Sequence, residues 1–270
     1  MPNLAAWTHY FRQAEIPVLA STSEALEALR AVEDDVDAGR LNTVIRVDPL
    51  MTLKLMAFIS GRRRPEDSTE IESITSSLVM MGVSPFFRNF GLQSTVEDRL
   101  REQPQALAGL FELLQRGERA ANFAVGFAVH RNDMDAGAIH MAAFLHDFAE
   151  MLLWCHAPSL ALTIREAQRA DPTLRSVTIQ RQVLGIELDD LRQALMELWR
   201  LPELLVRISN GRHADSANVR NVVLAVRLAR HTMDGWDNAA LPDDIDAIAE
   251  LLNATPRVAL AFLHKIDQSV

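Results

Sequence analysis

The stretch Ala138 to His156, AIHMAAFLHDFAEMLLWCH, constrains this chain more than any other. It is the most apolar segment of the sequence, yet His146 and Asp147 sit side by side in its middle. Long apolar patterns of helical period form the buried centre of helical domains. A charged pair is costly there unless it is paired, hydrogen-bonded or bound to metal. The sequence therefore offers two readings of His146-Asp147: a metal site, or a satisfied core pair.

The helical period recurs along most of the chain, and alternating β-branched runs are nearly missing. Leu4 to Ala14 reads as a first helix stopped by Pro17. Ser21-Thr22-Ser23-Glu24 fits a capping box for a second that ends at Gly39, before a short apolar segment from Leu41 to Val47. Asp48-Pro49 places a capping carboxylate before a proline suited to the first helical turn, opening a helix to about Ile59. Ser73, Ser84-Pro85 and Thr255-Pro256 repeat such devices, and Asp135 is placed to cap the central segment. Gln105 to His130 reads as a long helix, and further helices follow from Pro158 to the C-terminus. The charged run after Val96, EDRLREQP, reads as a linker. The expectation is an all-α fold of two lobes, 1–100 and 101–270, with 49% apolar residues to fill its cores.

Composition narrows the function. A net charge of −9 argues against broad nucleic-acid binding, which relies on Lys and Arg. One cysteine, Cys155, excludes an intrachain disulfide and a cysteine-rich zinc site, and fits a reducing, cytoplasmic setting. Its neighbours Leu152-Leu153-Trp154 point to a buried structural thiol. No signal peptide is expected from the N-terminal residues, and no apolar run reaches the ~20 residues a membrane helix needs. GxGxxG, GxxxxGK[ST], HExxH, GxSxG and CxxC patterns are all missing.

Read as one helix, the central segment puts His140 and Asp147 on one face and His146 and Glu150 on another. Neither face offers two histidines and a carboxylate, so a metal would need distant ligands, with His130, His213 and Asp215 as candidates. The three adjacent arginines Arg62, Arg63 and Arg64 read as a solvated loop or as a phosphate-binding one.

Ala142 to Leu153, AAFLHDFAEMLL, resembles the core helix of HD-superfamily domains, where a His-Asp pair binds metal in phosphohydrolases. The flanking segments are similar to the HDOD family, relatives that look like HD domains without the catalytic set. These segments are Ile45-Arg46-Val47-Asp48-Pro49-Leu50, Leu53 to Met56, Ser73 through Gly82, Val183 to Glu187, Trp199 to Glu203 and Ile208 to His213. The resemblance runs from Ile16 to Met233. Metal-binding relatives carry an upstream histidine where this chain reads Gln115-Arg116-Gly117-Glu118, and a late aspartate that falls here near Ala229-Arg230. The lysine common after the pair is replaced by Glu150, the tandem histidines survive only as Arg212-His213, and Ile59-Ser60-Gly61 replaces the usual asparagine-serine-alanine turn. Two of four metal ligands are thus missing.

The resemblance implies a bacterial, non-catalytic regulatory module without cofactor. It would act through a signalling protein partner or a small ligand, with no role for nucleic acid or membrane. His146, Asp147 and His213 are the degenerate site positions. Asp147 is expected to cap or pair with a base, with Arg212, His213 and Arg230 as partners, and His146 to be hydrogen-bonded and mostly buried. Arg62, Arg63, Arg64 and Arg212 are the candidate ligand contacts, and the groove between the lobes is the expected site. Two alternatives stand. One is a divalent-metal phosphohydrolase of nucleotides or cyclic dinucleotides, built from His146, Asp147, His213 and either His130 or His140. The other is a nucleotide receptor without catalysis.

Overall fold

The computed structural model describes residues 3–62, 74–171, 173–213 and 215–268, and among these it is built of helices with no strand. The central segment is not one helix. Ala136–Phe144 and Phe148–His156 are separate, and Leu145, His146 and Asp147 form the turn between them. The apolar residues on both sides of His146-Asp147 hid this break. The face-sharing expected of His140 with Asp147 therefore does not arise. Asp135 stands at the N-cap of Ala136–Phe144, but its side chain accepts from Asn218 Nδ2 at 2.9 Å instead of capping.

Contacts divide the chain into two compact units, the first of residues 1–111 with 148–202 and the second of 112–147 with 203–270. This grouping differs from a sequential division at 100 and 101. The expected linker is instead the short helix Val96–Arg99, with Val96 and Leu100 buried in the first unit.

In the first unit, Asp48 is fully buried and organises two helix starts. Its Oδ1 accepts from the amides of Leu50 (2.9 Å) and Met51 (3.0 Å), capping Pro49–Arg62 as the Asp-Pro step predicts. Its Oδ2 accepts from Leu19 N at 2.8 Å, and Glu97 Oε2 accepts from Ala20 N at 2.9 Å. The second helix therefore runs Ala20–Arg30 with Leu19 at its N-cap, two residues earlier than the expected cap Ser21, and its acceptors are supplied by distant carboxylates. It also stops well before Gly39. Asp37 accepts from Arg40 N and starts an independent helix, Ala38–Ile45, where a short apolar segment was expected. Leu4–Gln13 packs on Leu188–Leu198, and Trp7 Nε1 donates to Leu184 O at 3.1 Å. Phe148–His156 packs on Pro49–Arg62, Pro158–Ala170 and Leu188–Leu198. Gly109 allows a close approach here, since a Cβ added to it would lie 2.6 Å from the Trp154 ring. Cys155 is buried, and burial pushes its thiol up to about 12, so it is a packing residue and not a nucleophile.

His156 ends this helix with both ring nitrogens engaged. Nε2 donates to Glu15 O at 2.8 Å, and Nδ1 accepts from the Tyr10 hydroxyl at 3.3 Å. Burial holds the imidazole below its ordinary value of 6.5. A histidine depressed in the folded state contributes stability above its unfolded pKa and loses it as pH falls through the folded one. Urea midpoints between pH 7 and pH 5 are therefore expected to fall further for wild type than for His156→Gln. Equal falls would contradict this assignment.

In the second unit, Ala136–Phe144 packs on Glu203–Ile208 and Ala217–His231, and Leu241–Leu251 lies between Ala217–His231 and Pro256–Asp267. The C-terminal helix is fixed at its end. Arg119 donates from Nε and Nη2 to the two Asp267 carboxylate oxygens, each at 3.0 Å, and from Nη1 to Thr232 O. Trp236 Nε1 donates to Asp267 Oδ2 at 3.1 Å. Asp244 is fully buried and is held by Arg227 and His231.

Candidate functional site

The His-Asp turn lies at the end of Ala136–Phe144, where Leu145 N donates to Met141 O and His146 N to Ala143 O. Leaving the helix there lets both side chains be satisfied in one place. Asp147 Oδ2 accepts from Arg116 Nη2 at 2.7 Å and Nε at 3.1 Å, and its Oδ1 lies 2.8 Å from His146 Nδ1. The Arg116 and Asp147 side chains are only 19% and 12% exposed. Burial alone would push Asp147 up, but Arg116, His146 and more distant Arg230 together hold its carboxyl well below the ordinary 3.8.

The pairing expected of Asp147 is thus present, with a partner the sequence did not single out. Arg116 comes from the long helix Pro104–Arg131, in the very segment where metal-binding relatives place their histidine. Arg230, on Ala217–His231, is one of the three anticipated partners, and its positive charge helps hold the Asp147 carboxyl down. His213 and Arg212 are exposed in the turn Gly211–His213. The other histidines considered as ligands serve the packing. His130 Nε2 faces Leu252 O at 3.2 Å with its ring against Phe262, and His140 stacks on Phe144. Glu150 accepts from Trp154 Nε1 at 3.4 Å.

These residues do not fit a divalent metal. Both Asp147 oxygens are already engaged, and the positive charges of Arg116 and Arg230 beside them repel a cation. Among the described residues, no group of three or more His, Cys, Asp or Glu gathers in a way that could hold one.

The arginine loop is only partly within the described residues. Arg63 and Arg64 lie outside them, as does Ser73. Arg62 closes the Pro49–Arg62 helix with its guanidinium 3.7 Å above the Phe58 ring, and its Nη1 donates to Asn89 Oδ1 at 3.1 Å.

A further feature, in the second unit, went unread in the sequence. Ala217–His231 and Leu241–Leu251 border a cleft of about 670 Å³ that also receives Arg131, Arg220 and Arg227. The seven-residue spacing of Arg220 and Arg227, which puts both on one helical face, was the available signal.

With this geometry in hand, the comparisons with known proteins are specific about family. The HDOD domain model matches residues 16–214, most of the chain, and the chain belongs to that family. The match starts where the sequence resemblance does and ends before Met233. No curated protein matches the chain. Among solved structures, it is similar to the MmoQ response regulator of Methylococcus capsulatus str. Bath, with a TM-score of 0.66 and 19% identity over 93% of this chain and 98% of that one. A virulence factor of Campylobacter jejuni subsp. jejuni gives 0.60 and 16% identity over 99% and 100%. An HDOD domain protein of unknown function from Geobacter sulfurreducens gives 0.50 and 14% over 97% and 96%. At these identities the likeness is one of fold. No helix among the described residues is long and apolar enough to cross a membrane.

Proposed function

We propose that this chain is a non-catalytic signal-transduction module that works by binding a signalling protein or a small ligand. The observation that carries this reading is the Arg116–Asp147 pair. The carboxylate that would anchor a metal is neutralised by a two-pronged guanidinium contact, and Arg230 adds a second positive charge nearby. Hydrolysis of a phosphate ester in an HD-type centre needs a bound cation to activate water, and these groups oppose one. The HDOD membership supports a regulatory role, and the response regulator among the structural neighbours is in keeping with it.

The test is metal content and hydrolysis on the full chain. After dialysis against manganese, iron and zinc, elemental analysis is expected to find far less than one ion per chain. Incubation with nucleotides and cyclic dinucleotides is expected to release no phosphate or linear product. Stoichiometric metal that disappears in His146→Ala/Asp147→Ala, accompanied by turnover, would overturn the reading in favour of a phosphohydrolase.

A further inference from the structure

The cleft beside Ala217–His231 is lined almost wholly by residues beyond 214, where the family match ends. Its floor is apolar, with Val223, Leu224, Ala247 and Leu251. Its volume of about 670 Å³ is that of a small-molecule site, for which a few hundred to about 1,000 Å³ is usual. Three guanidinium groups reach it in an otherwise acidic chain.

Two of the three are held in place from behind. Arg131 is fixed by Asp133, through contacts of 3.0 and 3.3 Å, and by Leu251 O at 3.0 Å. Arg227 is fixed by the fully buried Asp244. A guanidinium has five N–H donors, so each retains donors beyond those spent on its anchor. Arg220 differs, since its partner Glu250 is 71% exposed. A surface pair of that kind contributes roughly 0–1 kcal/mol and exchanges readily for a stronger acceptor. Ala217, in the first turn of its helix, also lines the cleft. That turn carries no acidic residue, and its N-cap, Ser216, makes no side-chain cap bond. The positive end of the helix thus adds to the three arginines. Asp215 and Glu250 are the two carboxylates on the lining, fewer than its three guanidinium groups, and they offer acceptors for ligand hydroxyls.

We infer that this cleft binds a small phosphate ester with an apolar portion, its phosphate on Arg131, Arg220 and Arg227 and its apolar part on the Val223–Leu224–Leu251 floor. Bidentate guanidinium–phosphate contacts are the recurrent means of such recognition. The inference names a ligand class within the binding role proposed above and so rests on that reading.

The test is titration calorimetry of the full chain at low salt with three probes: inorganic pyrophosphate, adenosine diphosphate and adenosine. Wild type is expected to bind the first two and to bind adenosine far more weakly. Arg220→Gln, whose surface position leaves the fold and the ligand-free melting temperature unchanged, is expected to weaken both by at least about tenfold. Glu250→Gln removes the competing carboxylate and is expected to tighten them. Failure of both phosphate probes to bind would overturn the inference. So would wild-type affinity in Arg220→Gln, or adenosine binding as well as its diphosphate. Release of inorganic phosphate from adenosine diphosphate, followed in the same samples, would instead end the non-catalytic reading and leave the binding results interpretable.

Discussion

Asp147→Ala is expected to lower the stability of the chain by about 3–5 kcal/mol, because it removes one member of a largely buried ion pair. Arg116 and His146 both lose the carboxylate they engage, at 2.7 and 2.8 Å, and the positive charge of Arg230 loses a compensating one. A fall in melting temperature of roughly 5–10 °C follows for a chain of this size. Acid reveals the same interaction. Arg116, His146 and Arg230 outweigh burial and depress the folded-state pKa below the ordinary 3.8. The pair's contribution is therefore complete above that value and is lost as pH falls through the folded pKa. Urea midpoints of wild type and Asp147→Ala should differ widely at pH 7 and draw together as pH falls below 4, since the unfolded chain then takes up a proton that the folded carboxyl accepts only at lower pH. A chelator should change neither curve. A variant that unfolds like wild type at neutral pH would show that the contact contributes nothing, and would remove the main support for a metal-free site.

The parts of this molecule that were legible in the sequence are those written in adjacent residues. Asp48-Pro49 and Thr255-Pro256 start helices as expected, because cap and proline act within one turn. The family, too, was legible as a series of short segments in order. What could not be read were interactions between distant residues. The true start of Ala20–Arg30 depends on carboxylates 29 and 77 residues away, so the local capping box was misleading. The break at Leu145–Asp147 shows in the sequence only as the His-Asp pair itself, because the helices on both sides are apolar. Arg116 lies 31 residues from Asp147, and the sequence recorded it only as a position lacking a histidine. That gap was itself the signal: in a segment where the resemblance implies a metal ligand, an arginine offers the carboxylate a cation to turn to. The same logic applies to Arg230.

Asp48 carries the second large effect. Asp48→Ala is expected to cost about 2–5 kcal/mol, combining the loss of a helix cap with buried amides left without acceptors. Pro49 has no N–H, so the first free donors of its helix are those of Leu50 and Met51, and both point at Oδ1. Leu19 N, from a separate segment, points at Oδ2. One fully buried carboxylate therefore ties the start of Ala20–Arg30 to the start of Pro49–Arg62. Burial pushes its carboxyl above the ordinary 3.8, although the Leu19, Met51 and Leu50 amides and the Thr22 side chain pull the other way. Asp48→Asn removes the charge that burial disfavours and keeps one acceptor oxygen, so it should cost clearly less than Asp48→Ala. Hydrogen exchange separates the two ends of the tie. In Asp48→Ala the amides of Leu19, Leu50 and Met51 should all exchange faster, while in Asp48→Asn the Leu50 and Met51 amides should stay protected and that of Leu19 should not. If Leu19 keeps its protection in both variants, Asp48 is only a local cap, and the two helix starts are joined by packing alone.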